Sequence, residues 1–396
     1  MSDKNQSSIS KTQFMEWLPH LLCPPGYGVF TVSTGEHIKE KLFHKIFPQI
    51  KKEDQRSFWQ DQLNSSFLSQ EVVILGMCAD NGGGIQRGAN WGPLYLRDYI
   101  YKNPLHDLTS KSLQAFDLGD VRIIPHLLHD KYLNAETIQQ CRNYLYPAPL
   151  NQHDLPVSPL SIAQFVASNL HAHFPGKKIF MMGGDHSVSY PFVSEFLQAK
   201  KSRGKNVAII HFDAHTDLLP HRMGIDLCFG SWAYHILEFL NHPSQLIQIG
   251  IRATKKDRHT WENELGVIQY WPEEIKQSGP KQIAIKIIEH LKNRSIDELY
   301  ISFDIDCLDE KYASATGTPE GKGLDLNAPM EIMQELYEAF PITGADLVEI
   351  APHVQYPHLK KDSATDTLHV SSIIAEFLIG ALHRDHRKQQ LNLEHH

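Results

Sequence analysis

Short apolar runs recur along this chain at residues 72–75, 178–182, 207–212, 246–249, 298–303 and 345–350. A strand with one wet face alternates polar and apolar residues; these runs barely do. They read as strands buried on both faces, the signature of a parallel sheet. Between them lie helical stretches at 162–173, 190–201, 282–293 and 328–340. Pro329 falls near the start of the last, where its missing N–H is tolerated. Strand alternating with helix predicts an α/β fold, a mostly parallel central sheet with helices on both faces.

Three of the runs are followed at once by metal-ligand chemistry. Gly183-Gly184-Asp185-His186-Ser187 follows the first, Asp213-Ala214-His215-Thr216-Asp217 the second and Asp304-Ile305-Asp306 the third. Ligands of parallel sheets bind beyond the carboxyl ends of strands, so three strands deliver donors to one sheet edge. Alternate residues of an extended segment point the same way, which lets Asp213, His215 and Asp217 converge. A knot of carboxylates needs a large positive charge beside it to stay ionised. His186, Asp213, His215, Asp217, Asp304 and Asp306 therefore predict a site for more than one metal ion. Imidazole with carboxylate suits Mn²⁺ better than a thiolate-loving ion.

Other classes fit poorly. A formal charge of −8 over 396 residues argues against a nucleic-acid partner, which needs a basic stripe. No run of eighteen apolar residues predicts a membrane span. The polar start, Met1-Ser-Asp-Lys-Asn-Gln-Ser-Ser8, lacks a signal-peptide core. Cys23, Cys78, Cys141, Cys228 and Cys307 are scattered, with no Cys-x-x-Cys pair, which fits reduced thiols in a cytoplasmic protein. Residues 1–70 read as an N-terminal extension with no chemical motif, 71–387 as the catalytic domain, and 393–396 as the remnant of a polyhistidine tag.

Together these segments resemble the arginase/agmatinase (ureohydrolase) family. Gly-Gly-Asp-His-Ser (183–187), Asp-Ala-His-Thr-Asp (213–217) and Ser-Phe-Asp-Ile-Asp-Cys-Leu-Asp (302–309) are similar to its metal signatures. Asp117-Leu-Gly-Asp-Val121, Ile247-Gln-Ile-Gly-Ile-Arg252, Gly317-Thr-Pro319 and Gly88-Ala-Asn-Trp-Gly-Pro93 with Arg97 add to the likeness, which spans about residues 71 to 385. The resemblance implies a three-layer arginase/deacetylase-like fold and two Mn²⁺ ions. His186, Asp213, Asp217 and Asp304 would hold one ion, and Asp213, His215, Asp304 and Asp306 the other. It further implies that hydroxide generated between the ions attacks a guanidino or formimino carbon. Asp217 would accept a hydrogen bond from the nucleophile, and Glu349 would pair with the substrate guanidinium through two parallel hydrogen bonds. Asp309 reads as a turn residue rather than a ligand. Family members commonly form homo-oligomers.

One departure bears on substrate. The family's His-Gly dipeptide beyond the second motif, whose histidine is thought to shuttle protons, reads Phe229-Gly230 here. His221, His235 and His353 are candidate substitutes. In the same loop Arg222 suits a substrate carboxylate, Asp226 suits an amine, and Ser231 is a further substrate-binding candidate. An agmatinase-like activity is the leading expectation. A formimidoylglutamase-like or guanidino-acid hydrolase, a zinc deacetylase-like enzyme and a non-catalytic metal-binding homologue are the alternatives.

Overall fold

The computed structural model describes residues 9–29, 36–82, 86–102, 115–356 and 363–383; the polar start at 1–8, the domain end at 384–387 and the tag remnant at 393–396 lie outside the described residues. Nine strands form one sheet: β1 (Leu22–Cys23), β2 (Val72–Gly76), β3 (Ala115–Val121), β4 (Lys178–Met182), β5 (Val207–Phe212), β6 (Leu246–Ile249), β7 (Ile268–Tyr270), β8 (Glu298–Asp304) and β9 (Ile342–Val348). Their order is β1-β3-β2-β4-β9-β8-β5-β6-β7. Every pairing is parallel except the edge pair β1–β3.

The continuous apolar runs have the expected meaning. Val72, Ile74, Phe180, Met182, Ile301 and Phe303 face one core, and Val73, Leu75, Ile179 and Met181 face another. Helices Pro280–Asn293, Asn327–Ala339 and Ser363–Leu382 cover the first face, and Lys11–Leu21, Pro159–His173 and Ser189–Lys201 the second. This is the three-layer fold. Residues before 70 share the second core: Phe14, Leu18 and Trp59 are fully buried in it, and the Trp59 indole donates to the Leu118 carbonyl (3.3 Å). The Ala364–Leu382 helix is long and apolar enough to cross a membrane by composition. It is spent instead on the sheet, burying Ile374, Ala375, Leu378, Ile379 and Leu382.

Some elements differ from the sequence reading. The last apolar run ends as β9 at Val348 because Glu349 adopts a positive φ of 64° and turns out of the strand. β3 escapes a hydropathy search because Asp117 and Asp120 interrupt it. Both carboxylates are neutralised by Arg97, which is fully buried and bidentate to Asp117 (2.8 and 3.0 Å).

Candidate metal centre

The four central strands, β4-β9-β8-β5, are consecutive in the sheet, and each ends in a polar side chain of the site. His186 follows β4, Glu349 follows β9, Asp304 and Asp306 close β8, and Asp213, His215 and Asp217 follow β5. Close approach dictates the glycines at the end of β4. A Cβ on Gly184 would sit 1.7 Å from the Ala79 carbonyl oxygen, and one on Gly183 2.4 Å from a Val348 methyl. The Asp185 carboxylate then caps the turn His186–Val188 by accepting the Ser187 N–H (3.0 Å), while its other oxygen accepts from Asn81 N–H (2.7 Å). Asp185 therefore positions His186 and is spent on that task.

Two donor sets result. His186 Nδ1 lies 3.1 Å from Asp213 Oδ2, 3.1 Å from Asp304 Oδ2 and 3.2 Å from Asp217 Oδ2. His215 Nδ1 lies 3.0 Å from Asp306 Oδ2 and 3.4 Å from Asp213 Oδ1. The two oxygens of Asp213 thus address different sets, as a bridging carboxylate does. Asp304 Oδ2 faces the His186 set, and its Oδ1 accepts the Asp306 N–H (2.8 Å). Asp217 holds a left-handed φ of 51°, a strained conformation of the kind that gathers at functional sites.

The chemistry of these donors fits divalent ions. Buried His186 Nδ1 has no hydrogen-bond partner although three carboxylate oxygens surround it, as a ligand atom converging on a shared centre would. Burial raises Asp304 well above the usual carboxylate range, with the charges of Asp306 and Asp213 adding to it. Burial and the Asp213 charge push Asp217 up to about 8. Burial opposes the charge of His186, yet Asp213, Asp304 and Asp217 hold its pKa well above the ordinary value. Crowded carboxylates that retain protons are relieved by cations; a proton on Nδ1 and a metal ion compete for one place.

Several partners of the donors carried no role in the sequence reading. Ser302 Oγ lies 3.1 Å from His186 Nε2 and donates to Asp346 Oδ1 (2.8 Å), whose other oxygen accepts from Tyr300 (2.8 Å). This chain keeps the ring proton on Nε2 and leaves Nδ1 to the donor set. His211 Nδ1 accepts from Gln248 (2.9 Å), and its Nε2 donates to Asp213 Oδ2 (2.8 Å); burial keeps this histidine's pKa low and the ring neutral. The Trp232 indole donates to Asp217 Oδ2 (2.9 Å) and stacks on His186 at 4.7 Å. His211 and Asp346 were findable as lone polar residues inside apolar runs. Nothing in the sequence marks Trp232.

A cavity of about 510 Å³ opens over the donors. Its floor holds His186, Asp217, Asp304 and Glu349, all buried, and its wall includes Phe229, Trp261, Arg222, Lys255 and Lys256. Glu349 Oε1 accepts the His186 N–H (2.8 Å), whereas Oε2 is buried without a partner. Burial raises the pKa of Glu349, and Asp304, Asp185 and Asp80 raise it further. The remaining loop residues divide. Arg222 lines the cavity with its guanidinium 4.8 Å over the Phe229 ring. Asp226 is exposed outside the cavity lining and pairs with Lys131 (3.1 Å). Ser231 is buried and braces the loop, accepting the Cys228 N–H (2.9 Å) and donating to the Asp226 carbonyl. None of His221, His235 and His353 lines the cavity; His353 packs against Trp91 and Tyr95 at 5.3 and 4.8 Å. Asp309 accepts from Lys311 and Gly323 N–H groups (3.2 and 3.0 Å), a loop brace.

The profile of the arginase family matches residues 70–379. An agmatinase of Bacillus anthracis is 27% identical over 323 residues, covering 80% of this chain and 93% of its own. The human mitochondrial guanidino acid hydrolase is 28% identical over 290 residues, 71% of this chain and 72% of that one. Among solved structures, formimidoylglutamase from Bacillus subtilis superposes with a TM-score of 0.59 at 18% identity, covering 78% of this chain and 87% of its own; that likeness concerns the fold.

Proposed function

The chain belongs to the arginase family, hydrolases of C–N bonds in linear amidines, and from that premise we propose a two-metal enzyme that hydrolyses a guanidino or formimino compound. His186, Asp213, Asp217 and Asp304 would hold one ion and Asp213, His215, Asp304 and Asp306 the other, with Mn²⁺ the ion best matched to imidazole and carboxylate. Two such ions supply Lewis acidity that brings water close to ionisation at neutral pH.

This chain's own residues do the rest. Glu349 Oε2, buried and unpartnered on the cavity floor, is the observation that carries the reading: an amidinium N–H pair satisfies it. Glu349 Oε1 stays on the His186 N–H, so the carboxylate orients the substrate against a fixed frame. The water oxygen bonds to the amidine carbon, the C–N bond to the leaving amine breaks, and that nitrogen takes the electron pair and a proton. Phe229 has no proton to give. Asp217, which lines the cavity beside Asp304 and Glu349, is the carboxylate placed to pass it. The scattered free cysteines support a reducing, cytoplasmic setting, and a homo-oligomer is our expectation for its assembly.

The test is a panel of guanidino and formimino compounds offered to Mn²⁺-loaded protein whose metal content has been measured. Urea or formamide release, abolished by chelation and in Glu349→Gln, is the expected result. Two bound ions without release from any member would leave a metal-binding homologue without this activity. One zinc per chain would instead favour deacetylase chemistry.

A further inference from the structure

Resting on that reading of the cavity floor, we infer that the substrate's far end is a carboxylate, so that the enzyme takes an amidino acid rather than an amidino amine. The cavity is bipolar. Its buried floor is acidic, and its exposed rim carries Arg222, Lys255 and Lys256. Lys256 is offset by Glu264 at 2.8 Å. Arg222 and Lys255 have no carboxylate partner among the described residues. The loop's own acid, Asp226, points its charge at Lys131 outside the cavity. Among the described residues that line the cavity, the carboxylates are Asp217, Asp304 and Glu349; Glu320 lies outside that lining, 3.6 Å from the Nε2 of the lining His215.

Arg222 is held ready for this task. Its N–H and C=O exchange hydrogen bonds with Ile225 (2.9 Å each) across a tight turn. Met223 and Gly224 both take positive φ there, 51° and 84°, the pattern of a type I′ turn. The side chain is then steadied by cation–π contact with Phe229 at 4.8 Å. The aromatic ring in the place of the expected histidine thus acts as a platform for the cation that meets the substrate's tail. Lys255 extends from the loop after β6, where the Thr254 hydroxyl accepts both the Trp261 indole N–H (3.1 Å) and the Lys256 N–H (3.2 Å). An amine-tailed compound such as agmatine would bring a second positive charge to this rim; a carboxylate there matches the planar guanidinium of Arg222.

The experiment measures both binding and turnover for 4-guanidinobutyrate and agmatine, which differ at the tail. On the Mn²⁺-loaded full chain, calorimetry is expected to give at least tenfold tighter binding of the acid. Affinity for the acid should fall with ionic strength while that for agmatine rises, as expected for attraction and repulsion at an exposed rim. Arg222→Glu with Lys255→Glu is expected to weaken acid binding ten- to a hundredfold, through KM where turnover occurs, and to improve agmatine, with metal content unaltered. Phe229→Leu should lose part of the acid preference. Equal or tighter binding of agmatine, or a preference untouched by charge reversal, overturns the inference even where urea is released. Preferential acid binding without turnover of any amidine supports the inference and refutes the proposed activity.

Discussion

Removing one hydroxyl beneath the candidate metal centre tests whether the Ser302–Asp346 relay orients His186. Ser302→Ala leaves the imidazole Nε2–H without its acceptor at 3.1 Å and Asp346 Oδ1 without its donor at 2.8 Å. Asp346 keeps the Tyr300 hydroxyl on its other oxygen, so most of the cost falls on His186. One buried polar group left unsatisfied costs about 1–3 kcal/mol, and the ring can regain a partner by moving its proton to Nδ1, the ligand atom. Loss of such an orienting partner typically lowers metal affinity by about 10–100-fold. We expect a Mn²⁺ affinity loss in that range by competition with a fluorescent chelator, together with a urea-unfolding loss of about 1–3 kcal/mol in chelator. Ser302→Thr retains the hydroxyl and should recover most of both. A Ser302→Ala protein that folds and binds Mn²⁺ within about threefold of the wild type, against the range expected for an orienting partner, would refute the claim that this relay selects the ligand nitrogen.

Two predictions concern the scaffold. Arg97→Met strands the buried carboxylates of Asp117 and Asp120 on β3, and losing one partner of a buried ion network costs about 3–5 kcal/mol; a loss under about 1 kcal/mol in urea unfolding would place it with dispensable surface pairs. His171 is buried against Phe196, and burial, then the charges of Lys200 and Arg203, lower its pKa to about 3. Below about pH 6.5 the unfolded chain binds a proton that the folded one refuses, so stability is full above that pH and falls as acid is added toward pH 3. Between pH 6.5 and 5 the loss approaches about 2 kcal/mol, and His171→Leu should flatten that part of the stability–pH curve. An unchanged slope would mean that His171 titrates normally.

Much of the sheet was legible because burial on both faces imposes continuous apolar runs, as at Phe180–Met182 and Val207–Ile210. The six donors were legible for a related reason: at strand ends, sequence position translates directly into spatial convergence. Legibility failed where pairing replaces hydropathy. β3 stays in the sheet although Asp117 and Asp120 break its run, because Arg97 arrives from a helix twenty residues earlier. Three-residue β7 is held partly by side chains, Gln269 donating to Gln248 at 2.8 Å. Trp232 reaches Asp217 from fifteen residues downstream, and no local pattern encodes that meeting.

The same distinction separates the loop after the second motif from the strand-end donors. Arg222, Asp226 and Ser231 are equal candidates by composition and by nearness to the second motif. Their fates are set by the turn at Met223–Gly224, which sends Arg222 over Phe229, and by Lys131, which lies 95 residues away in the chain and draws Asp226 outward. A cation facing the cavity with its competing anion removed is a property of the folded loop alone. On the proposed reading, Phe229 in place of the histidine that the resemblance implies would leave proton handling to the carboxylates on the floor, while its ring offers the face on which the Arg222 guanidinium rests. If specificity and proton handling are divided in this way, changes at Phe229 should alter tail preference without disturbing the donor sets, because the ring touches the rim and the metal ligands hang from the sheet.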